Sequence, residues 1–337
     1  MKKTILSLVL IFSSIALFAQ SEEEILNKWI NTYNELSTSK NWDGMISNFD
    51  QCHQEVPNWD FAYYYKGFAE FNKQNYENAI KDLSTFASKT DTLNVVNMMI
   101  AQSYNNLNQP ENALAALDKF LAKEPNSVAG YQEKANAHMQ MKDYANYISD
   151  LQKVAELEPN NESAYANIAS AYGLQQNFQG VIDNLTKAIA INPNQAQYYQ
   201  DRAFANYSLK TPENIQAALV DYDKAEELGV KDAALYNRKY VCHSMLKDYQ
   251  GALDDCNKLL AIDPEDLNNI YYRGDANYKL KNYKEAIPDL DKVIASDKVQ
   301  KTRKIQALQR RGASKQALKD LKGAQADAAM IKQLQGK

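Results

Sequence analysis

The 337-residue chain is longer than one hydrophobic core usually supports, so its length favours two domains or one extended array. Its formal net charge is −4 and it has no basic block, which argues against nucleic acid and anionic membrane surfaces as partners. Only 11 glycines and 8 prolines are present, which leaves few turn signals for an all-β or α/β fold.

The segment from Met1 to Ala19 has the order of a secretory signal. Lys2 and Lys3 precede an apolar run from Ile5 to Phe18, and Ala19 ends this run before an acidic segment. The run is short for a membrane span, and its order is typical of a signal that is cleaved. The sequence therefore predicts cleavage after Ala19 and an exported protein, periplasmic or extracellular. An uncleaved anchor is the alternative.

Three cysteines leave at least one thiol unpaired in an exported protein. Cys242 and Cys256 fall in one predicted helical hairpin, where a disulfide and two buried thiols are both open and the thiols are favoured. Cys52-His53 and Cys242-His243 resemble metal-ligand pairs. Adjacent residues on a helix do not face each other, however, so neither dipeptide can chelate one ion by itself. We therefore predict no metal site and no cofactor.

One pattern recurs along most of the chain with a period of about 34 residues. A column of small residues is accompanied by an aromatic column four positions earlier and a second aromatic column further on. The small column comprises Gly67, Ala101, Ala135, Ala169, Ala203, Gly274 and Gly312. Each repeat has two apolar stripes at three- to four-residue spacing, which predicts two amphipathic helices. Prolines close several repeats because proline cannot continue a helical hydrogen-bond ladder.

These columns resemble those of the tetratricopeptide repeat, most fully over residues 128–161, 162–195 and 267–300. The resemblance implies an all-α fold: a right-handed α-solenoid, or superhelix, of stacked antiparallel helix pairs. We count about nine helical hairpins within residues 20–337. Their approximate starts are 26, 60, 94, 128, 162, 196, 233, 267 and 305.

Stacking is expected because a single hairpin cannot bury its apolar face alone. The period lengthens twice along the chain. About three extra residues are predicted between the helices of the sixth repeat, around residues 210–212, and about four precede the ninth, around residues 301–304.

Six repeats carry a basic residue immediately before the small column. The same six carry an aspartate sixteen residues later, or nineteen in the sixth repeat, and the other three lack both charges. We therefore predict structural salt bridges that join the two helices of a hairpin. The predicted pairs are Lys66–Asp82, Lys134–Asp150, Arg202–Asp221, Lys239–Asp255, Arg273–Asp289 and Arg311–Asp327. A solvent-exposed pair of this kind contributes only about 0–1 kcal/mol.

No catalytic constellation is recognisable. The sequence has neither a glycine-rich phosphate loop nor a Gly-x-Ser-x-Gly motif. His138 and His243 stand in a column that Tyr104 and Tyr172 occupy in other repeats, so packing roles are expected for them. The repeats leave no room for a catalytic domain, and we predict that the protein is not an enzyme.

In the family that the chain resembles, the first helix of each hairpin faces a concave groove. One stripe of this face is aromatic near both ends and small and amide-rich between them. The stripe's candidate binding residues are Phe61, Tyr64, Phe68, Phe71, Phe204, Tyr207, Tyr271 and Tyr278. The sequence is compatible both with covered and with open positions for the four rings from Phe61 to Phe71.

The composition of the groove favours one class of partner over another. A nearly uncharged groove with aromatic ends favours an extended peptide or protein partner, because rings supply large contact area at low entropy cost. We therefore predict a non-catalytic protein–protein interaction scaffold. The alternative is a carbohydrate-binding module of a bacterial envelope system, because glycans also stack on aromatic rings.

Overall fold

The computed structural model describes residues 20–336, so the predicted signal, residues 1–19, lies outside the described residues. Every regular element of the described chain is a helix. In chain order these are α1 Gln20–Thr38, α2 Trp42–Ser47, α3 Phe49–Glu55, α4 Phe61–Asn72, α5 Tyr76–Lys89, α6 Val95–Asn106, α7 Pro110–Lys123, α8 Val128–Gln140, α9 Tyr144–Leu157, α10 Glu162–Leu174, α11 Phe178–Ile191, α12 Ala196–Leu209, α13 Pro212–Glu227, α14 Ala233–Leu246, α15 Tyr249–Ile262, α16 Leu267–Lys279, α17 Tyr283–Ala295, α18 Lys301–Ala317 and α19 Leu321–Gln335. None of these helices is both long and apolar enough to cross a membrane.

The chain divides into two compact units, which end and begin at Pro159 and Asn160. The N-terminal unit contains α1 to α9, and the C-terminal unit contains α10 to α19. From α4 onward the helices pair consecutively, and within each unit each pair packs against the next pair. The prediction of an all-α fold built from stacked helix pairs is confirmed.

The turn inside each hairpin uses one recurring backbone conformation. A residue with φ near +60° ends the first helix, and the chain then reverses into the second. These residues are Lys40, Gln74, Asn108, Lys142, Gln176, Lys210, Lys247, Lys281 and Lys319. In the fourth repeat the Asp143 amide donates to the His138 carbonyl oxygen at 2.9 Å, and the Asp143 carboxylate accepts from the Asn146 amide. The first bond closes a helix C-terminus and the second caps the next helix, so the turn needs no glycine.

The extra residues of the sixth repeat lie elsewhere than the sequence predicted, and those of the ninth repeat, residues 301–304, lie within a helix. Only Lys210 and Thr211 separate α12 from α13, so that turn holds no insertion; α13 has 16 residues where α11 has 14. Pro212 starts α13 because a first-turn residue needs no hydrogen-bonded amide. In the ninth repeat α18 begins at Lys301 and has 17 residues, compared with 13 in α16. Both insertions therefore lengthen helices.

Small residues allow the helices of a hairpin to approach closely. A Cβ atom added at Gly67 would lie 2.7 Å from Leu83 Cγ, so a larger residue would displace the fully buried leucine. The core of the N-terminal unit is rich in rings, with Tyr33 stacked on Tyr65 at 4.7 Å between centroids. Fully burying such a side chain stabilises the fold by about 1.5–3 kcal/mol.

Candidate functional site

Four of the six predicted charged pairs have their ionic atoms within 4 Å. The three arginine pairs are two-bond forks. In one of them Arg202 Nε and Nη2 donate to the two carboxylate oxygens of Asp221 at 2.8 and 2.6 Å. The other three pairs are Arg273–Asp289, Arg311–Asp327 and the longer Lys66–Asp82 contact of 3.9 Å. The four aspartates are buried. The basic side chains are engaged by these aspartates and are therefore not free to bind a ligand.

The predicted Lys134–Asp150 pair is wrong. Asp150 is instead bound by His138, whose Nδ1 lies 2.7 Å from the carboxylate, and Lys134 pairs with Asp118 at 3.0 Å. His138 stands four residues after Lys134, one turn along the same helical face, and its shorter side chain reaches Asp150 directly. Burial raises the pKa of Asp150, and the hydrogen bond from His138 opposes that rise.

The predicted Lys239–Asp255 pair is wrong for the same reason. His243 Nδ1 lies 2.8 Å from Asp255 Oδ2, while the Lys239 ammonium binds Asp223 and Glu226, each at 2.6 Å. Burial disfavours the charged form of Glu226, but its hydrogen bonds to lysines outweigh this effect and lower its pKa to about 2. A histidine one turn after the lysine thus redirects the lysine to acidic residues of the preceding hairpin.

The four candidate rings of α4 are largely covered. Tyr64 is 7 % exposed, and the other three rings are half-buried. Their ring contacts are Phe61–Phe86 at 5.2 Å, Tyr64–Phe86 at 5.7 Å, Phe68–Trp42 at 5.8 Å and Phe71–Tyr76 at 6.0 Å between centroids. All four belong to or pack against the core of the N-terminal unit, so the packing favours the covered alternative.

The four candidate rings of the C-terminal unit differ in exposure. Phe204 is 50 % exposed, Tyr207 and Tyr278 are half-buried and Tyr271 is buried. Two arginines cover tyrosine rings: the guanidinium carbon of Arg303 lies 4.3 Å from the Tyr271 centroid, and that of Arg310 lies 5.2 Å from the Tyr278 centroid. Phe204 is therefore the most accessible of the candidate rings.

Phe204 borders an apolar cavity of about 190 Å³ among α12, α13 and α14. We call this cavity the Phe204 pocket. Its lining residues are Phe204, Tyr207, Tyr222, Asn237, Arg238 and Val241. Val241 is partly exposed, and so is Met245, which lies one turn further along α14. The pocket thus opens beside an accessible apolar surface.

Arg238 places a cation on a surface that the sequence predicted to be uncharged. Its guanidinium carbon lies 6.0 Å from the Phe204 centroid. In the part of the chain that the structure describes, no carboxylate oxygen lies within 4 Å of this guanidinium. Arg238 lies on the first helix of the following repeat, next to Asn237, which stands in the stripe, so the repeat pattern alone does not join Arg238 to Phe204.

A carboxylate lies on the equivalent face of the N-terminal unit. Glu133 accepts hydrogen bonds from the side-chain amides of Gln102 at 3.1 Å, Asn105 at 2.9 Å and Asn136 at 3.4 Å. The three amides come from the amide-rich middle of the predicted stripe. The expectation of a nearly uncharged groove face therefore needs correction in both units.

The cysteines are buried thiols. Cys242 and Cys256 are not bonded to each other, and burial raises their pKa values to about 11 and about 12, which makes thiolate formation unfavourable. Over residues 20–336 no group of three or more His, Cys, Asp or Glu side chains is arranged to hold a metal ion.

The fold and these surfaces define an all-α helical-repeat protein. Two family models of the tetratricopeptide repeat match consecutive stretches, residues 96–127 and 128–161. Residues 96–161 therefore match the tetratricopeptide repeat. The structure of the C-terminal part of a tetratricopeptide repeat-containing protein from Cytophaga hutchinsonii has a similar fold, with a TM-score of 0.58 and 16 % identity over 71 % of this chain and 97 % of that one.

Several curated proteins are similar over short stretches. Sperm-associated antigen 1 from Homo sapiens is 31 % identical over 85 residues, which is 25 % of this chain and 9 % of that protein. Protein SGT1 homolog from Bos taurus is 35 % identical over 72 residues, which is 21 % of either chain. FK506-binding protein 59 from Drosophila melanogaster is 30 % identical over 69 residues, or 20 % of this chain and 16 % of that protein. The chain thus spans at most about a fifth of the length of these relatives.

Proposed function

We propose that the protein is a non-catalytic scaffold that binds an extended peptide segment of a protein partner at the Phe204 pocket. The observation that carries this proposal is the half-exposed ring of Phe204 beside a cavity of about 190 Å³. Aromatic side chains that can become fully buried on binding are common hot spots. The tetratricopeptide repeats and the relatives that share them support a role in protein–protein interaction.

The placement of the histidines supports a non-catalytic role. His138 and His243, the first candidates for acid–base chemistry, are each bound to a buried aspartate between the two helices of a hairpin. His138 is itself buried. A general acid or base must reach a bound substrate, and these side chains face the packing instead.

A displayed library of random twelve-residue peptides tests the binding site. We expect the full-length chain to enrich peptides with large apolar side chains, and Phe204→Ala to weaken the selected peptides at least about tenfold, as loss of an aromatic hot spot does. Fluorescence anisotropy with labelled peptides measures the affinities. The matched control is Val220→Ala, which removes another exposed apolar side chain of the same unit, on α13, and should leave the affinities unchanged.

Two outcomes would contradict the proposed peptide-binding function as a whole. One is the absence of any peptide enriched above background. The other is binding on a glycan array together with no peptide selection, which would favour the carbohydrate-binding alternative. Equal affinities for wild type and Phe204→Ala would show that the selected peptides do not bind at the Phe204 pocket.

We also infer that the protein is exported and that the segment from Met1 to Ala19 is removed. The support is the order of charged, apolar and small residues that ends at Ala19. N-terminal sequencing of the protein from its native cells should begin at Gln20, and Ala19→Arg should accumulate the longer precursor. A mature protein that retains Met1 would overturn this inference.

A further inference from the structure

We propose that the Phe204 pocket selects a large apolar side chain adjacent to a single carboxylate, and that Arg238 binds this carboxylate. The proposal rests on the function proposed above and specifies the chemistry of the partner segment. It combines two features of one surface: an apolar cavity and a guanidinium at its edge.

The apolar part of the site is formed by three helices of the C-terminal unit, α12, α13 and α14. Tyr222 lines the cavity from α13 and is 1 % exposed, so its position is fixed by the core of the C-terminal unit. Phe204 and Val241 line the cavity from α12 and α14 and remain partly exposed. A volume of about 190 Å³ suits one large side chain rather than a folded surface. An extended segment with an apolar anchor therefore fits the pocket.

Arg238 is unusual among the arginines of the chain. Four of the six are bound to aspartates: Arg202, Arg273, Arg310 and Arg311. Arg303 lies over the rings of Tyr271 and Tyr272. Arg238 alone combines an exposed side chain with a position at the edge of a cavity.

The surroundings of Arg238 determine how much negative charge it can accept. Phe204 supports the guanidinium from one side, at 6.0 Å, and leaves its N–H donors available for a two-bond contact with a carboxylate. Asp201, which accepts a hydrogen bond from Gln197 at 2.8 Å, also acts electrostatically on Arg238. The Asp201 carboxylate repels any negative charge that approaches Arg238, so each additional charge on the ligand is opposed further. The site therefore favours one carboxylate beside the apolar anchor over an acidic run.

Four labelled Gly/Ser-rich dodecapeptides test this specificity with the full-length protein. They differ only in the central pair, which is Leu-Glu, Leu-Gln, Leu-Lys or Ala-Glu. We expect wild type to bind Leu-Glu about fivefold more tightly than Leu-Gln, the ratio that a single accessible charge pair supports. The Leu-Lys and Ala-Glu peptides should bind more weakly than Leu-Glu, and added salt should reduce the advantage of Leu-Glu over Leu-Gln.

Variants of Arg238 assign the preference to this residue. Arg238→Gln should make Leu-Glu and Leu-Gln equal, and Arg238→Glu should make Leu-Lys the tightest of the four. Lys298→Gln is the matched control, because it removes one exposed cation elsewhere in the same unit. Far-UV circular dichroism should be the same for all variants, since both substituted side chains are exposed.

The outcomes separate this inference from the proposed function. If wild type binds Leu-Glu and Leu-Gln equally while Phe204→Ala still weakens both, the carboxylate preference is overturned and the peptide-binding function stands. Persistence of the preference in Arg238→Gln would also overturn the role of Arg238. If wild type binds neither these peptides nor any from the random library, both proposals fail.

Discussion

Arg202→Met should lower the free energy of unfolding by about 3–5 kcal/mol, the loss expected when one partner of a buried ion pair is removed. Asp221 is 4 % exposed and is bound by two N–H groups of the Arg202 guanidinium, at 2.8 and 2.6 Å. Without Arg202, the Asp221 carboxylate remains buried between the two helices and has no cation to balance its charge. Chemical denaturation followed by circular dichroism measures the loss.

A double substitution distinguishes two contributions to the free energy of unfolding: the penalty for an unpaired buried charge and the net stabilisation by the ion pair. Arg202→Met combined with Asp221→Leu replaces both charges by apolar groups of similar size, so most of the lost stability should return. The single substitution Lys224→Met is the surface control. Lys224 pairs with Glu227 on the same helix, with both side chains exposed, and its loss should cost no more than about 1 kcal/mol. A double variant as unstable as Arg202→Met would contradict this account.

The helix pairs could be predicted from the sequence because every repeat has the same arrangement of small and aromatic residues. Columns of small and aromatic residues recur at the period of one hairpin, and chance does not sustain such a pattern. The lengths of single helices were less predictable. In the sequence, Pro212 is compatible both with a turn and with the first position of a helix. In the structure it is the first residue of α13.

The repeat pattern of the charged residues was not sufficient to predict which side chain binds each aspartate. The pattern singled out an aspartate in six repeats, and the structure buries all six, but the predicted partner was wrong in two of them. His138 and His243 displaced the predicted lysines because they lie one turn further along the same face. The spacing of the lysine and aspartate columns alone does not show which of two neighbouring donors is closer.

The candidate site was the least predictable part. The sequence placed the rings of α4 and the ring of Phe204 on one equivalent stripe. Exposure depends on the neighbours that each repeat meets: Phe86 and Trp42 cover rings of α4, whereas Phe204 meets an open cavity. Arg238 comes from the following repeat and stands one position off the stripe, so a reading along a single helix could not include it.

His243→Leu should be destabilising by about 3 kcal/mol near pH 7.5 and by much less near pH 4.5. Asp255 is 2 % exposed, and its carboxylate is bound by His243 Nδ1 at 2.8 Å. Lys239 cannot take over this contact without leaving Asp223 and Glu226, which it binds at 2.6 Å each. The variant therefore strands a charged carboxylate at neutral pH.

The pH dependence follows from the pKa of Asp255. Burial raises this pKa above its ordinary value, and the hydrogen bond from His243 lowers it, so loss of His243 raises it further. A raised pKa means that the folded state holds the proton more tightly than the unfolded chain. The stability gained from that proton is complete below the unfolded-state pKa, near about 4, and is lost as the pH rises through the folded-state pKa. The deficit of the variant must therefore grow with pH.

Tyr172→Leu is the matched control for this pH dependence. Tyr172 occupies the column of His243 in the fifth repeat, where Asn184 stands in place of the aspartate, so its removal strands no carboxylate. Its cost should be the same at pH 4.5 and pH 7.5. Denaturant midpoints of the two variants and wild type at both pH values give the comparison. Parallel losses at the two pH values for His243→Leu would mean that His243 acts by filling space, and that Asp255 does not depend on its hydrogen bond.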